Sequence, residues 1–178
     1  DIVFEYANYL YAISKYEEAD EYYEKALEIQ NDVVAKSLSA INKLELNQLE
    51  VAEELIESAL EEQPEHEYIQ FLAGRIYYSL KKFEDAKIYF IKSLEQNPDK
   101  ETKNLLALTY FELGEYEKAL NIFNALLEEN PKNISLLLNK AKSLEGMKNF
   151  DEALETLDTL TNIFPECEEA HEIIRRIS

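Results

Sequence analysis

Residues Ala107–Pro131 read ALTYFELGEYEKALNIFNALLEENP. From Tyr116 onward, Tyr116, Ala119, Phe123 and Leu126 fall at i, i+3, i+7 and i+10, which is one face of a 3.6-residue helix. Ala107, Tyr110 and Leu113 place a second apolar face ahead of it. Gly114 separates the two and suits the left-handed conformation that ends a helix. Pro131 closes the stretch, because proline cannot continue a helix interior but opens the next helix well. The stretch is therefore two helices joined by a short turn.

The same unit recurs along the chain. Pro64, Pro98, Pro131 and Pro165 stand 34, 33 and 34 residues apart. Ala19, Ala52, Ala86, Ala119 and Ala153 keep the same period, with Tyr16, Leu49, Phe83, Tyr116 and Phe150 three residues earlier. Tyr23, Ile56, Phe90, Phe123 and Leu157 form a column four residues after the alanines, and Ala26, Ala59, Ser93, Leu126 and Leu160 one seven after. Twelve residues before the alanines stand Ala7, Ala40, Gly74, Ala107 and Ala141. The repeats run over residues 1–32, 33–66, 67–99, 100–133 and 134–167. Small residues in both helices let the axes approach to ~8–10 Å. A large side chain at Ala86 or Ala119 is expected to overpack that contact by roughly 1–3 kcal/mol. The turn column holds Ser14, Asn47, Lys81, Gly114 and Lys148, and its lysines suggest a loose constraint. Residues 168–178 form a further helix with Ala170, Ile173, Ile174 and Ile177 on its apolar face. Arg175 stands there in the small-residue column, so this helix is expected to cap the array, the alternative being the start of a sixth repeat.

These columns resemble the tetratricopeptide repeat family, a 34-residue helix–turn–helix unit with small, aromatic, alanine and proline positions. The match is fullest at Gly74, Tyr77, Phe83, Ala86, Phe90 and Pro98, and again over Ala107–Pro131. The departures are the lack of an early Trp, Leu126 and Leu160 at a usually small position, and Asn31 in place of the first proline. The resemblance implies an all-α, right-handed superhelical solenoid of five repeats plus the capping helix, one domain over residues 1–178. RNA-reading helical repeats of similar length need a basic groove, which this chain lacks.

Composition narrows the function. The chain has 178 residues, 37 acids and 18 bases, for a formal charge of −19. That sign opposes nucleic acids and anionic membranes. The repeats carry −7, −6, 0, −2 and −3 in turn, so the negative charge gathers in the first two, as a solubilising convex surface or, on the sharper reading, a docking face for a basic partner. No apolar run approaches the ~18–20 residues of a membrane span. The lone Cys167 allows no internal disulfide, and His66 and His171 lie far apart, so neither a metal nor a cofactor is expected. Cys167 and His171, at i and i+4, offer too few ligands for a metal clip. Adjacent acids such as Glu17 and Glu18 diverge on a helix surface instead of converging for acid–base catalysis, and no glycine-rich phosphate loop exists. No catalytic residues are expected. The chain begins at Asp1 without a Met and inside an apolar pattern, so it is expected to be a fragment of a longer protein. A cytoplasmic location is expected, subject to any signal removed with the missing part.

In this family the first helices line a concave groove that binds peptides or partner domains. Carried onto this register, the groove-facing residues are Phe4, Asn8 and Tyr11; Leu38 and Ile41; Phe71, Arg75 and Tyr78; Asn104, Leu108 and Phe111; and Asn139 and Lys142. Glu5, Ser37, Glu45 and Leu138 are placed on the same groove-facing sides by that register. The clamp with which some members hold acidic chaperone tails is not matched. Its positions hold Phe4, Asn8, Leu38, Tyr68 and Leu72, and only Asn8 fits. The resemblance thus implies a non-catalytic scaffold for a protein or peptide of basic and apolar character, extended or helical. The alternative is a self-assembling segment that oligomerises through its terminal repeats. Tyr78 and Phe111 could instead pack against the next repeat as core.

Overall fold

The computed structural model describes residues 2–178. Among these residues there are eleven α-helices and no strand. They gather into two compact units, residues 1–98 and 99–178. Unit 1 contains α1 (Ile2–Ala12), α2 (Tyr16–Ile29), α3 (Val33–Glu45), α4 (Leu49–Glu62), α5 (Glu67–Ser79) and α6 (Phe83–Gln96). Unit 2 contains α7 (Lys100–Glu112), α8 (Tyr116–Glu129), α9 (Ile134–Gly146), α10 (Phe150–Ile163) and α11 (Glu168–Ile177). Each repeat is one antiparallel pair, and the prolines follow the second helices two residues past their ends.

The small columns form the helix–helix contacts. Ala7, Ala40, Ala107 and Ala141 of the first helices and Ala19, Ala52, Ala86, Ala119 and Ala153 of the second are fully buried. Tyr23, Ile56, Phe90, Phe123 and Leu157 fill the adjacent space and are as deeply buried. Gly74 shows how tight the fit is, since a Cβ there would stand 2.5 Å from Phe90 Cε1.

The turn column behaves more uniformly than its residue types suggest. Ser14, Asn47, Lys81, Gly114 and Lys148 all have φ between 57° and 74°. At each, two backbone bonds close the helix. Glu115 N–H donates to Tyr110 O and Gly114 N–H to Phe111 O, both at 2.9 Å, and the same pair recurs around Lys148 from Asn149 to Leu144 and from Lys148 to Glu145. This is the six-to-one and five-to-two pattern of a left-handed helix cap. The lysines therefore do not mark a loose constraint. They hold a left-handed backbone at a conformational cost. First helices start less uniformly. Asp32, Asp99 and Asn133 cap α3, α7 and α9 by accepting from Ala35, Thr102 and Leu136 N–H at 2.8, 2.8 and 3.0 Å. His66 and Cys167 occupy the same position before α5 and α11 without a side-chain cap.

Polar staples join neighbouring helices in unit 1. Lys43 is nearly buried and donates to Asp20 at 2.7 Å and Glu24 at 3.0 Å. Burial pushes its pKa down, but these carboxylates outweigh it and the net shift is upward. Lys36 donates to Ser58 at 3.1 Å and pairs with Glu62. Fully buried Gln70 donates to Pro64 O at 2.8 Å and accepts from Gln96 at 3.0 Å. In unit 2, α11 packs through buried Ala170 and Ile173 while Arg175 is exposed. Arg176 makes a two-pronged bond to Glu145 of α9, both N···O distances being 2.7 Å.

Candidate binding surfaces of the first helices

In unit 1 the faces turned away from the small column carry half-buried Phe4, Asn8 and Tyr11 on α1, Leu38 on α3, and Phe71, Arg75 and Tyr78 on α5. Ile41 departs from the register-based expectation. It is 2% exposed and belongs to the core, because α3 is covered by helices on both sides and a residue one step round its axis is enclosed. Ser37 is equally buried and spends its hydroxyl on Val33 O at 2.6 Å. Asn8 accepts from Tyr23 OH at 2.8 Å, so its amide N–H groups are what it can offer a ligand.

Arg75 is not a free cation. Its guanidinium donates to Glu45 at 3.4 Å and sits 5.9 Å from the Phe71 ring centre. Tyr11 joins the same cluster. Burial raises its phenol pKa, Glu45 raises it further, and Arg75 acts in the opposite direction. Residues of α1, α3 and α5 thus meet around one ion pair, with Phe71 beside it. Tyr78 packs edge-on against Phe83 at 5.3 Å, as Tyr11 packs on Tyr16 at 5.4 Å. In unit 2, Phe111 packs on Tyr116 at 5.4 Å in the same way. Each of these rings packs on the first aromatic of the second helix in its own repeat and keeps part of its surface accessible.

In unit 2, Asn104, Leu108 and Phe111 follow one another on α7 at helical spacing and are half-buried, with Leu108 and Phe111 leaning on the core. Asn139 is half-buried on α9, whereas neighbouring Leu138 is buried. Lys142 pairs with Glu169 of α11 at 2.5 Å. The Asn104 side-chain oxygen is buried without a hydrogen-bond partner.

The register did not single out Lys36 and Lys43 as partners for carboxylates, although a signal existed. Lys43 stands in a column otherwise filled by Leu10, Tyr77, Tyr110 and Leu144. Their pairing also changes what the acidic first repeats can offer. Asp20, Glu24, Glu45, Glu53, Glu57 and Glu62 accept bonds from Lys36, Lys43, Arg75, Tyr77 or Lys82 within the unit. Among the described residues, no group of three or more His, Cys, Asp and Glu could hold a metal, and no helix is long and apolar enough to cross a membrane.

A family model described as tetratricopeptide repeat matches residues 43–108 and 110–177, and a second of the same description matches residues 1–33. The TPR repeat-containing protein MJ1428 of Methanocaldococcus jannaschii is 27% identical over 165 residues, covering 89% of this chain and 28% of that protein. The chain thus spans about a quarter of the length of the archaeal relatives it matches. Among solved structures, YrrB, described as a TPR protein with an unusual peptide-binding site, superposes with a TM-score of 0.84 at 23% identity over 97% of this chain and 90% of that one. MamA of Desulfovibrio magneticus RS-1, from residue 41 to its end, gives 0.82 at 16% identity over 93% and 95% of the two chains. At these identities the likeness concerns the fold.

Proposed function

Because the chain belongs to the tetratricopeptide repeat family, we propose that it is a non-catalytic scaffold that binds a peptide segment on its first-helix faces. The observation that carries this is the face of unit 1, where Phe4, Tyr11, Leu38, Phe71 and Tyr78 leave apolar surface accessible around the Arg75–Glu45 pair and the amide of Asn8. Apolar side chains fix such a ligand, and the few polar groups set its register. The peptide-binding site described for YrrB supports the class of ligand. In unit 2, Asn104, Leu108, Phe111, Asn139 and Lys142 offer a face of the same kind. The ligand is extended or helical, with apolar anchors and basic flanks. A random peptide library displayed on phage, selected on the whole chain, provides probes. Phe71→Ala, Arg75→Ala and Asn104→Ala are each expected to weaken the selected peptides by about tenfold, the value of one good anchor. Unchanged affinity in all three variants refutes the assignment.

One observation favours self-association as a second reading. Ile2, Tyr6 and Tyr9 of α1 are 88%, 43% and 57% exposed, whereas the register-equivalent Ala35, Ser39 and Asn42 of α3 and Ile69, Ala73 and Ile76 of α5 are all buried. The face on which α3 and α5 receive the preceding helix carries large apolar side chains in α1, and a second copy stacked there would cover them. Mass that rises with concentration in sedimentation, and falls back in a Tyr6→Lys, Tyr9→Lys variant, would support it.

A further inference from the structure

The two seams between successive repeats of unit 1 are built differently. Where α5 receives α4, the facing positions are Ile69, Ala73 and Ile76, all buried and apolar. The same positions of α3, which receives α2, are Ala35, Ser39 and Asn42. Near the loop that joins α2 to α3 this seam is apolar, since Ala26 and Ala35 are buried and line one small cavity. Away from the loop it is polar. Asn42 donates to Tyr16 O at 3.1 Å and to Asp20 at 3.3 Å, and Lys43 donates to Asp20 and Glu24. Ser39 lies one turn before them on the same face of α3. Ser39 and Asn42 are fully buried, yet the Ser39 hydroxyl and the Asn42 carboxamide oxygen have no hydrogen-bond partner among the described residues.

Such a seam holds weakly. Burying its charges costs desolvation that their attraction only partly returns. Each unpartnered buried polar atom adds a penalty that vanishes once water reaches it. The apolar core is also divided there. Ala7, Leu10, Ala19 and Tyr23 form a cluster of their own, with Leu38 leaning on it from the second repeat. In unit 2, by contrast, one cluster runs on from Ala107 through Phe123, Leu137 and Leu157 to Ile173. The helices α1 and α2 are 11 and 14 residues long, so once parted from α3 they lose the support that keeps such short helices folded.

The candidate binding face of unit 1 crosses this seam. Asn8 and Tyr11 stand on α1, Leu38 on α3, and Phe71 and Arg75 on α5. We propose that the first repeat parts from α3 along this seam as one unit while α3–α6 stay folded, and that a peptide lying across Tyr11 and Phe71 holds it shut. The opening stands on the seam alone, and the linkage to a peptide rests on the scaffold reading of unit 1. Opening takes Asn8 and Tyr11 away from Phe71 and Arg75, so the whole face exists only in the closed state, and a ligand that spans it selects that state.

Native-state hydrogen exchange on the whole chain, followed amide by amide by NMR, tests both. Amides of α1 and α2, such as those of Leu10 and Tyr23, are expected to share one opening and to be protected about tenfold less, or weaker still, than that of Phe90 in α6. Ile56→Val, a core change in α4, should speed exchange at Phe90 about fivefold and leave α1 and α2 unmoved, because they open without α4–α6. Ser39→Ala removes an unpartnered hydroxyl and should slow exchange in α1 and α2 about tenfold. Asp20→Ala leaves Lys43 with Glu24 alone and should speed it about tenfold, although alanine favours the α2 helix. A library peptide that depends on Phe71, at about a hundred times its dissociation constant, should slow exchange in α1 and α2 by about tenfold or more. Equal protection throughout unit 1, α1 and α2 speeding up together with Phe90 in Ile56→Val, or α1 and α2 unmoved by both seam variants would each overturn the opening. Rates in α1 and α2 unmoved by a Phe71-dependent peptide would overturn the linkage and leave the scaffold reading standing. If no selected peptide depends on Phe71, the scaffold reading falls and takes the linkage with it, while the opening stands or falls by the seam variants.

Discussion

Lys81 and Lys148 occupy left-handed turn positions, at φ 59° and 60°, that Gly114 fills in the fourth repeat. A side chain with a Cβ holds that conformation at a cost of roughly 1–2 kcal/mol. Replacement by glycine removes the cost but frees the unfolded chain, which takes back about 0.5–1 kcal/mol. Lys81→Gly and Lys148→Gly should each therefore stabilise by about 0.5–1 kcal/mol. Both side chains are exposed, and among the described residues neither makes an ion pair or a side-chain hydrogen bond, so nothing else is lost. The two sites lie in different units, so their effects should add. In urea unfolding followed by helical circular dichroism, the midpoint should rise at unchanged slope. The melting temperature should rise by about 2–4 °C per kcal/mol for a chain of this size. Gly114→Ala is the mirror experiment. Nothing lies within 4 Å of a Cβ built there, so its loss, about 1 kcal/mol, measures backbone conformation alone. If both lysine variants are neutral or weaker, or Gly114→Ala is silent, the left-handed column does not carry the cost assigned to it.

The same unfolding measurement checks three more outcomes. Gly74→Ala drives a Cβ to 2.5 Å from the Phe90 ring and should cost about 1–3 kcal/mol, part of which Phe90→Leu returns in the double variant. Cys167→Asp should supply the cap that α11 lacks and add about 1 kcal/mol, whereas Asp99→Ala should remove one of similar size from α7. Burial pushes the Asp99 pKa up, but hydrogen bonds from the Thr102 end of α7 outweigh it and lower it. The stability from this cap is therefore present at neutral pH and lost as pH falls through the lowered value, so the gap between wild type and Asp99→Ala should close in acid. Lys43→Leu strands the largely buried Asp20 and should cost about 1–3 kcal/mol, which Asp20→Leu in the same chain recovers in large part.

What could be read from the sequence follows from how many side chains a position must satisfy. Ala19 and its four equivalents face a neighbouring helix axis, a constraint that only a small residue meets, so the column is visible in every repeat. The left-handed turn is met by the backbone itself, through the paired bonds from Lys15 to Leu10 and from Ser14 to Tyr11 and their equivalents. Residue type is therefore only weakly selected there, and lysine at the column conceals a conformation as strict as that of glycine. On the candidate faces, helical spacing places Phe71, Arg75 and Tyr78 on one side of α5, and all three are half-buried. It could not exclude Ile41, because enclosure depends on the helices flanking α3 and not on α3 alone.

Charge was the least legible property, because formal counts ignore where the carboxylates point. The first two repeats carry −7 and −6, yet Asp20 and Glu53, with side chains 17% and 19% exposed, are turned inward onto Lys43 and Lys82. Lys82 belongs to the third repeat, whose own balance is zero, and Arg75 of that repeat likewise reaches back to Glu45 of the second. The neutral repeat therefore cancels part of its neighbour's charge at contact distance, where salt screens least. What a basic partner meets at long range is instead carried by exposed acids such as Glu24, at 63%, and Glu62, at 45%, each of which already shares a lysine. Pairing at contact distance leaves the net charge of the first three repeats at −13 and decides only which carboxylates are held inward and which remain exposed, where salt screens them most readily.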